Sequence, residues 1–157
     1  MNPKRSKKEK RTVRVWTYDE ARKAVPYISG VMQSLREHRI DALSRDRQAR
    51  RLGDRPGRPD RHLLVSQADT ARLSREADIR CEETLAELNA IDVFCADPIC
   101  GEAFIPFLHD KKLAWFVFDL FDEEDRLKQW RYHDDPLEAR RPIAEAGVEP
   151  TNIAWTV

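Results

Sequence analysis

Apolar residues recur at helical spacing through the first third of the chain. Between residues 21 and 43 they return every three or four positions, which is the spacing of one buried helix face. Thr17 and Glu20, just before this stretch, have the spacing of a capping box, in which each side chain bonds the backbone amide of the other. The pattern therefore predicts a helix from Thr17 to about Arg51 that continues through Pro26.

A loop separates this helix from a second one. Residues 52–61 contain two prolines and two glycines, a composition that ends a helix and forms an exposed turn. Apolar or small residues then recur at helical spacing from Leu63 to Ala90, and charged residues occupy the outer face. Two long helices joined by a short loop pack antiparallel, so residues 17–90 are predicted to form a helical hairpin.

The spacing changes to the alternation of strands after residue 90. Short strands are predicted at Ile91–Cys95, Ala103–Leu108 and Leu127–His133, and a longer one at Lys111–Phe121. The longer strand is apolar on both faces, so we expect it at the centre of the sheet. Residues 136–157 show no regular pattern and are predicted to be irregular.

These elements predict one α+β domain over residues 13–157. A chain of 157 residues is most often a single domain. The predicted fold class is α+β, with a long antiparallel helical hairpin (17–90) followed by a small three- to four-stranded antiparallel sheet and a C-terminal segment (91–157). Residues 1–12 hold six basic side chains and one acidic side chain, and are predicted to be a disordered basic tail.

Charge is distributed unevenly along a chain whose formal net charge is zero. Residues 1–62 carry 18 Lys and Arg against 8 Asp and Glu, whereas residues 63–157 carry 10 against 20. Opposite charges of this size let the two halves attract each other, within one fold or between copies. The alternative is that the basic half meets a polyanion.

The expected cellular location follows from two features of the sequence. No apolar run approaches the ~20 residues that cross a bilayer, and the basic N-terminal region is not followed by the hydrophobic segment of a signal peptide. Three cysteines are too few and too scattered for a disulfide framework. We expect a cytoplasmic protein with no membrane partner.

Arginines are the main candidates for a binding surface. Arg131, Arg140 and Arg141 accompany Trp130 and Tyr132, and these residue types recognise carboxylates, phosphates or unstacked bases. The alternative is that Trp130 belongs to the core and Arg140 pairs with the acidic turns. Glu102 and Asp119 also lie on otherwise apolar strands, where a buried carboxylate needs a partner such as Arg140.

A second group of arginines lies at the predicted hairpin loop. Residues 45–61 contain seven arginines, among them Arg50, Arg51 and Arg55. They could follow a phosphate backbone, but no aromatic residues are interleaved to read bases, so any such binding would be nonspecific.

Metal or catalytic chemistry has weaker candidates. Cys95 and Cys100 form one C-x4-C pair, whereas a structural zinc site needs four ligands. The run His133-Asp134-Asp135 could bind a hard metal ion or act in acid–base catalysis, although such a triplet at a strand end is usually a solvated turn. We therefore assign no catalytic, cofactor-binding or metal-binding residue, expect no cofactor, and favour no enzyme class.

The chain resembles a family of small bacterial proteins that is described as a domain of unknown function. The likeness begins at Trp16–Ala21 with the proline of the first helix, and resumes with a Gly-x-x-x-x-Pro segment at Gly101–Pro106. It ends with a tryptophan followed by arginine, proline and isoleucine, here Trp130, Arg140, Pro142 and Ile143. The chain has Arg131 where the family usually has histidine, and Pro136 and Ala139 in place of two glycines. The resemblance implies a helical hairpin with a small sheet and implies no activity.

The length of the hairpin leads to the functional hypothesis. The hairpin is longer than one small sheet can cover, so we expect an interaction or regulatory module that forms a homo-oligomer through its helices. An unknown protein partner is also expected. The alternative is weak, nonspecific nucleic-acid binding through the basic tail and the arginine-rich loop. A metal-dependent enzyme is the third hypothesis.

Overall fold

The computed structural model describes residues 12–147 and 155–156 of the chain. It confirms the α+β class: a helical hairpin followed by an antiparallel sheet. Residues 1–11 of the predicted tail lie outside the described range, and Thr12 already belongs to a strand. In chain order the elements are β1 (Thr12–Val13), α1 (Tyr18–Gly53), α2 (Arg61–Ala90), β2 (Phe94–Asp97), β3 (Glu102–His109), β4 (Lys112–Asp119), β5 (Gln129–Tyr132), β6 (Arg141–Pro142), a 3-10 turn (Ile143–Ala146) and β7 (Trp155–Thr156).

Both helices begin at side-chain caps. The predicted capping box is confirmed, because the Thr17 hydroxyl accepts from the Glu20 amide at 3.1 Å and the Glu20 carboxylate accepts from the Thr17 amide at 2.9 Å. The Asp60 carboxylate accepts from the Leu63 amide at 2.8 Å, so α2 starts two residues before its predicted start. Neither helix, within the described residues, has an apolar stretch that could span a membrane.

The sheet has five antiparallel strands in the order β2-β3-β4-β5-β6, plus a separate two-stranded pairing of β1 with β7. The central position predicted for β4 is confirmed. The predicted number of strands was too low, because β6 lies in the segment predicted to be irregular. Two residues are too few to show an alternating pattern, and β6 exists because the edge of β5 offers it hydrogen-bonding partners.

One face of the sheet packs on the hairpin and forms the core. Alternating side chains of β3, β4 and β5 point to this face, and Phe107 and Phe116 stack there with ring centroids 3.8 Å apart. The helices contribute fully buried side chains from their sheet-proximal halves. Those of α1 are Ala21, Ile28, Met32 and Leu35, and that of α2 is Leu88.

Pro106 lies inside β3, although proline removes a ladder donor. Its carbonyl accepts from the Trp16 amide at 2.8 Å, so this side of the residue faces the chain that leads into α1. In an antiparallel strand the nitrogen and carbonyl of one residue point to the same side, so the missing N–H costs no bond to β4.

Candidate functional site

A cleft of about 390 Å³ opens where β4 begins and β5 ends. One wall is the β3–β4 turn, in which Asp110 and Lys111 both have positive φ, of 49° and 62°. Residues other than glycine rarely adopt a positive φ, so the backbone of this turn is strained. The lining residues are Lys111, Lys112, Leu113, Tyr132, His133, Asp134 and Asp135.

Asp135 holds the other wall in place. Its carboxylate accepts from the Tyr132 amide at 3.0 Å and forms an ion pair with Arg141 at 3.2 Å. The Arg141 guanidinium, and then the Tyr132 amide, lower the pKa of Asp135 below its ordinary value. Because the Asp135 carboxylate already bonds Tyr132 and Arg141, it is poorly suited to bind a ligand in the cleft.

Arg131 is buried rather than exposed to ligands. Its side chain donates to the Asp135 carbonyl, its guanidinium lies over the Phe104 ring at 5.7 Å, and only 5% of the residue is accessible. Its Nε has no hydrogen-bond partner among the described residues. Arg131 therefore contributes mainly to the packing of the sheet face that points away from the helices.

Arg140 and Arg141 lie on different sides of the sheet edge. Arg140 pairs with Glu102 on β3, the carboxylate for which it was named as a partner, and not with the acidic turns. It also donates to the Leu137 carbonyl. Arg141 lies over the rings of Trp130 and Tyr132, at 5.4 and 4.9 Å. Each guanidinium has partners within the fold. The anion-binding surface predicted for these arginines stays a prediction.

Trp130 is part of the core, as the alternative interpretation predicted. It is 2% exposed, and its indole N–H donates to the Pro142 carbonyl at 3.1 Å. The His109 ring lies against it at 4.5 Å, and His109 Nδ1 is 2.7 Å from the Tyr132 hydroxyl. These aromatic side chains join the ends of β3, β5 and β6.

The candidate metal ligands are dispersed. Among the residues that the structure describes, no group of three or more His, Cys, Asp or Glu side chains is arranged to hold a metal ion. His133 accepts from the Trp115 indole at 3.2 Å, and Cys100 donates to Asp97 at 3.2 Å. Burial raises the pKa of Cys95 to about 11, so its reactive thiolate form is disfavoured.

The arginines of the hairpin loop are exposed at the far end of the molecule. Arg50 forms an ion pair with Asp46 at 3.1 Å, while Arg51 and Arg55 are exposed. A smaller cleft of about 250 Å³ lies beside Arg55 at the start of α2. These residues are separated from the sheet by the length of the helices, so the two predicted groups of arginines do not form one surface.

The distal part of the hairpin is a second candidate surface, and we call residues 40–80 the arm. The core cluster that joins helices and sheet includes Leu35 but no later residue of α1, and no residue of α2 before Leu85. The 14 residues of α1 within the arm extend about 21 Å. The two helices of the arm therefore lie beyond the core that joins the hairpin to the sheet.

The fully buried side chains in the seam between the arm helices are small. They are Ala42, Thr70 and Ala77, and the Thr70 hydroxyl donates to the Ser66 carbonyl at 2.7 Å. Four leucines of the arm are partly buried: Leu43, Leu52, Leu63 and Leu73. Four large apolar side chains of the arm are 42–52% exposed: Ile40, Leu64, Val65 and Ile79.

The apolar face predicted for α2 is buried at Ala77 and Leu88, but it included Leu64 and Ala68, which are exposed, and the exposed stripe opposite α1 was not predicted. A set of exposed residues recurs on α2 at alternating intervals of three and four, and we call this set the outer stripe. Its members are Val65, Ala68, Arg72, Arg75, Ile79, Glu82 and Ala86. The outer stripe faces away from α1, because Thr70, Ala77 and Thr84, which are buried, lie on the opposite side of the helix. The regular spacing was the available signal, but charged residues within the stripe concealed it.

Comparison with known proteins gives one match. The family model described as "Uncharacterized conserved protein (DUF2203)" matches residues 14–143. This range includes both helices and all five strands of the sheet, and it confirms the resemblance to a family of unknown function. No curated protein and no solved structure matches the chain.

Proposed function

The chain belongs to the DUF2203 family, whose description states no activity, and we propose from its own surfaces that it is an interaction module of the bacterial cytoplasm that self-associates through its helical hairpin. The observation that supports this function is the arm. The arm is a two-helix projection beyond the core, and four of its large apolar side chains are about half exposed to water. The three free thiols are compatible with the reducing environment of a cytoplasm.

Apolar area on the arm provides the driving force for association. Fully burying one Leu, Ile or Val side chain contributes roughly 1.5–3 kcal/mol relative to leaving it exposed. The arm supplies four such side chains, each about half exposed. Two of them, Val65 and Ile79, lie on the outer stripe, and their burial between two copies would offset part of the cost of lost rotational and translational freedom. A pair of hairpins would form a four-helix arrangement, which buries the stripe that a lone hairpin cannot.

A charge placed at the centre of the outer stripe tests this function. We expect Ile79→Asp to convert an oligomer into a monomer, because it removes an apolar contact and places a carboxylate in the interface. Sedimentation equilibrium from low to high micromolar concentration measures the change. Leu137→Asp is the matched control, because Leu137 is 67% exposed but lies outside the arm, whereas Ile79 is 51% exposed. Wild-type protein that stays monomeric throughout this range rules the function out.

Nonspecific nucleic-acid binding is a second candidate function, and the exposed tip of the arm favours it. Residues 45–61 carry seven arginines against three aspartates. Arg47, Arg51, Arg55 and Arg58 are exposed, and the structure shows no ion pair for any of them among its described residues. Guanidinium groups in this arrangement suit a phosphate backbone and offer no base readout.

Salt dependence distinguishes this second function from self-association. Binding to a labelled duplex is expected to weaken steeply with salt, because the logarithm of affinity falls against that of salt with a slope of about −0.9 per neutralised phosphate. Replacing Arg51, Arg55 and Arg58 by alanine should reduce both affinity and slope, and deletion of residues 1–12 tests the tail separately. Replacing Arg22, which pairs with Asp125 at 3.1 Å, is the control. Absence of binding at about 50 mM salt excludes this function.

A further inference from the structure

We infer that the partner of the outer stripe is a second copy of this chain in antiparallel orientation, with α2 packed on α2 about a two-fold axis level with residue 77. This inference rests on the proposed self-association and specifies its face, orientation and register. It is supported by three features of the stripe: a seven-residue period, exposure at every position and a change in the sign of charge along its length.

The period of the stripe is that of a helix–helix seam. Its positions alternate in steps of three and four from Val65 to Ala86, which is the a and d spacing of paired helices. All seven positions are exposed and face away from α1. Ala68 and Ala86, towards its two ends, would allow close approach of another helix, and Ile79 near its centre supplies an apolar side chain.

Charge along the stripe selects the antiparallel orientation. The stripe is basic at Arg72 and Arg75 and becomes acidic at Glu82, beside the exposed Glu83. A parallel pair in register would place Arg72 opposite Arg72 and Glu82 opposite Glu82, which repels at each layer. An antiparallel pair places the basic part of each helix against the acidic part of the other.

In one antiparallel register, each stripe position from Ala68 to Ala86 lies opposite a stripe position of the second copy. With the axis level with residue 77, Arg72 lies opposite Glu82 of the second copy, and Ala68 lies opposite Ala86. Arg75 lies opposite Ile79, whose apolar side chain can pack on the aliphatic part of the arginine. The two-fold axis repeats each layer, so the interface is self-complementary, as a symmetric dimer requires.

The existing contacts of these side chains are compatible with such an interface. Arg72 donates to Glu76 of its own helix at 3.1 Å and lies 4.0 Å from Asp69, and both are exposed ion pairs, which contribute little to stability. Arg75 and Glu82 have no ion pair with any other residue that the structure describes. The charges that would meet across the axis therefore need not give up a strong partner first.

Charge reversal with complementation tests the orientation. In a dimer of Arg72→Glu, two layers place the introduced glutamate opposite Glu82, and in a dimer of Glu82→Arg, two layers place the introduced arginine opposite Arg72. Each variant alone is expected to raise the dimer Kd by roughly ten- to thirtyfold. An equimolar mixture of the two should recover an affinity close to that of wild type. In the mixed dimer, one layer pairs the introduced glutamate with the introduced arginine, and the other keeps Arg72 opposite Glu82. The measurement is sedimentation equilibrium at low salt.

Controls separate this inference from the proposed function. Arg80→Glu makes the same charge change on an exposed residue of α2 outside the stripe, and should leave the Kd unchanged. The antiparallel pairing is overturned if the wild-type protein dimerises but neither charge reversal changes the dimer Kd. It is also overturned if mixing the two variants does not restore the wild-type Kd. Self-association stands in either case. A wild-type monomer overturns both. Circular dichroism of each variant verifies that the helices are folded.

Discussion

Replacing Trp130 by alanine is expected to lower the free energy of unfolding by about 3–5 kcal/mol, the usual cost of emptying a large aromatic site in a core. The side chain is 2% exposed and contacts Phe107 and Tyr132 edge to face, with ring centroids 5.8 and 4.9 Å away. Its removal also leaves the Pro142 carbonyl without its indole donor. Urea unfolding followed by circular dichroism measures the change, at one fixed protein concentration because association shifts apparent stability.

Trp115 provides the matched control for this prediction. It lies on the opposite face of the sheet and is only partly buried, with Phe94 and Phe104 edge to face against its ring. Trp115→Ala should therefore cost clearly less than Trp130→Ala. Equal costs would show that the helix-facing side of the sheet is not the main core.

Substitution of Gly101 by alanine is expected to cost about 2–4 kcal/mol, the sum of a strained backbone and a steric overlap. Gly101 has a φ of +68°, and a Cβ built there would lie 2.9 Å from the Leu120 Cβ and 3.0 Å from a ring carbon of Phe121. The Leu120 amide donates to the Gly101 carbonyl at 2.9 Å, so the two segments cannot separate without breaking a hydrogen bond. Chemical denaturation again gives the change.

Gly30 offers the matched alanine substitution with the opposite expected sign. It lies inside α1, has no atom within 4 Å of a built Cβ, and is exposed. Gly30→Ala should raise the free energy of unfolding by about 0.5–1 kcal/mol, because alanine loses less backbone entropy in a helix. Equal destabilisation by both alanine variants would show that the positive φ of Gly101 and the overlap of a Cβ with Leu120 do not determine the cost.

The residues that carry the family resemblance in the C-terminal half are explained by packing. Gly101 makes the turn into β3, Pro106 faces the chain before α1, and Trp130 bonds the Pro142 carbonyl. Arg140 neutralises Glu102 on β3, which ties β3 to the segment before β6. These residues therefore build the sheet, whereas the proposed interaction surface lies on the face of α2 opposite α1.

Local features of the chain were predictable because their determinants are close in sequence. The capping box depends on Thr17 and Glu20, three residues apart, and is present as expected. The alternation of β4 placed it at the centre of the sheet, since only a strand covered on both faces tolerates so many apolar side chains. The pairing of Glu102 with Arg140 was predictable because a carboxylate on an apolar strand needs a cation.

Other features depended on which distant segments meet. Arg131 had the sequence context of a binding residue, yet packing against Phe104 and the Asp135 carbonyl buries it. The strand β6 could not be recognised in two residues, because its only cause is the free edge of β5.

The sequence by itself determined the helices and the central strand, because periodicity and capping act between neighbours in the chain. Only the tertiary structure decided where the sheet ends along the hairpin, and therefore which side chains remain exposed. The core cluster stops at Leu35 and Leu85, and beyond it Ile79 and Val65 lie on the face of α2 opposite α1 and remain exposed. The reason is geometric, since a single pair of helices covers only one side of each.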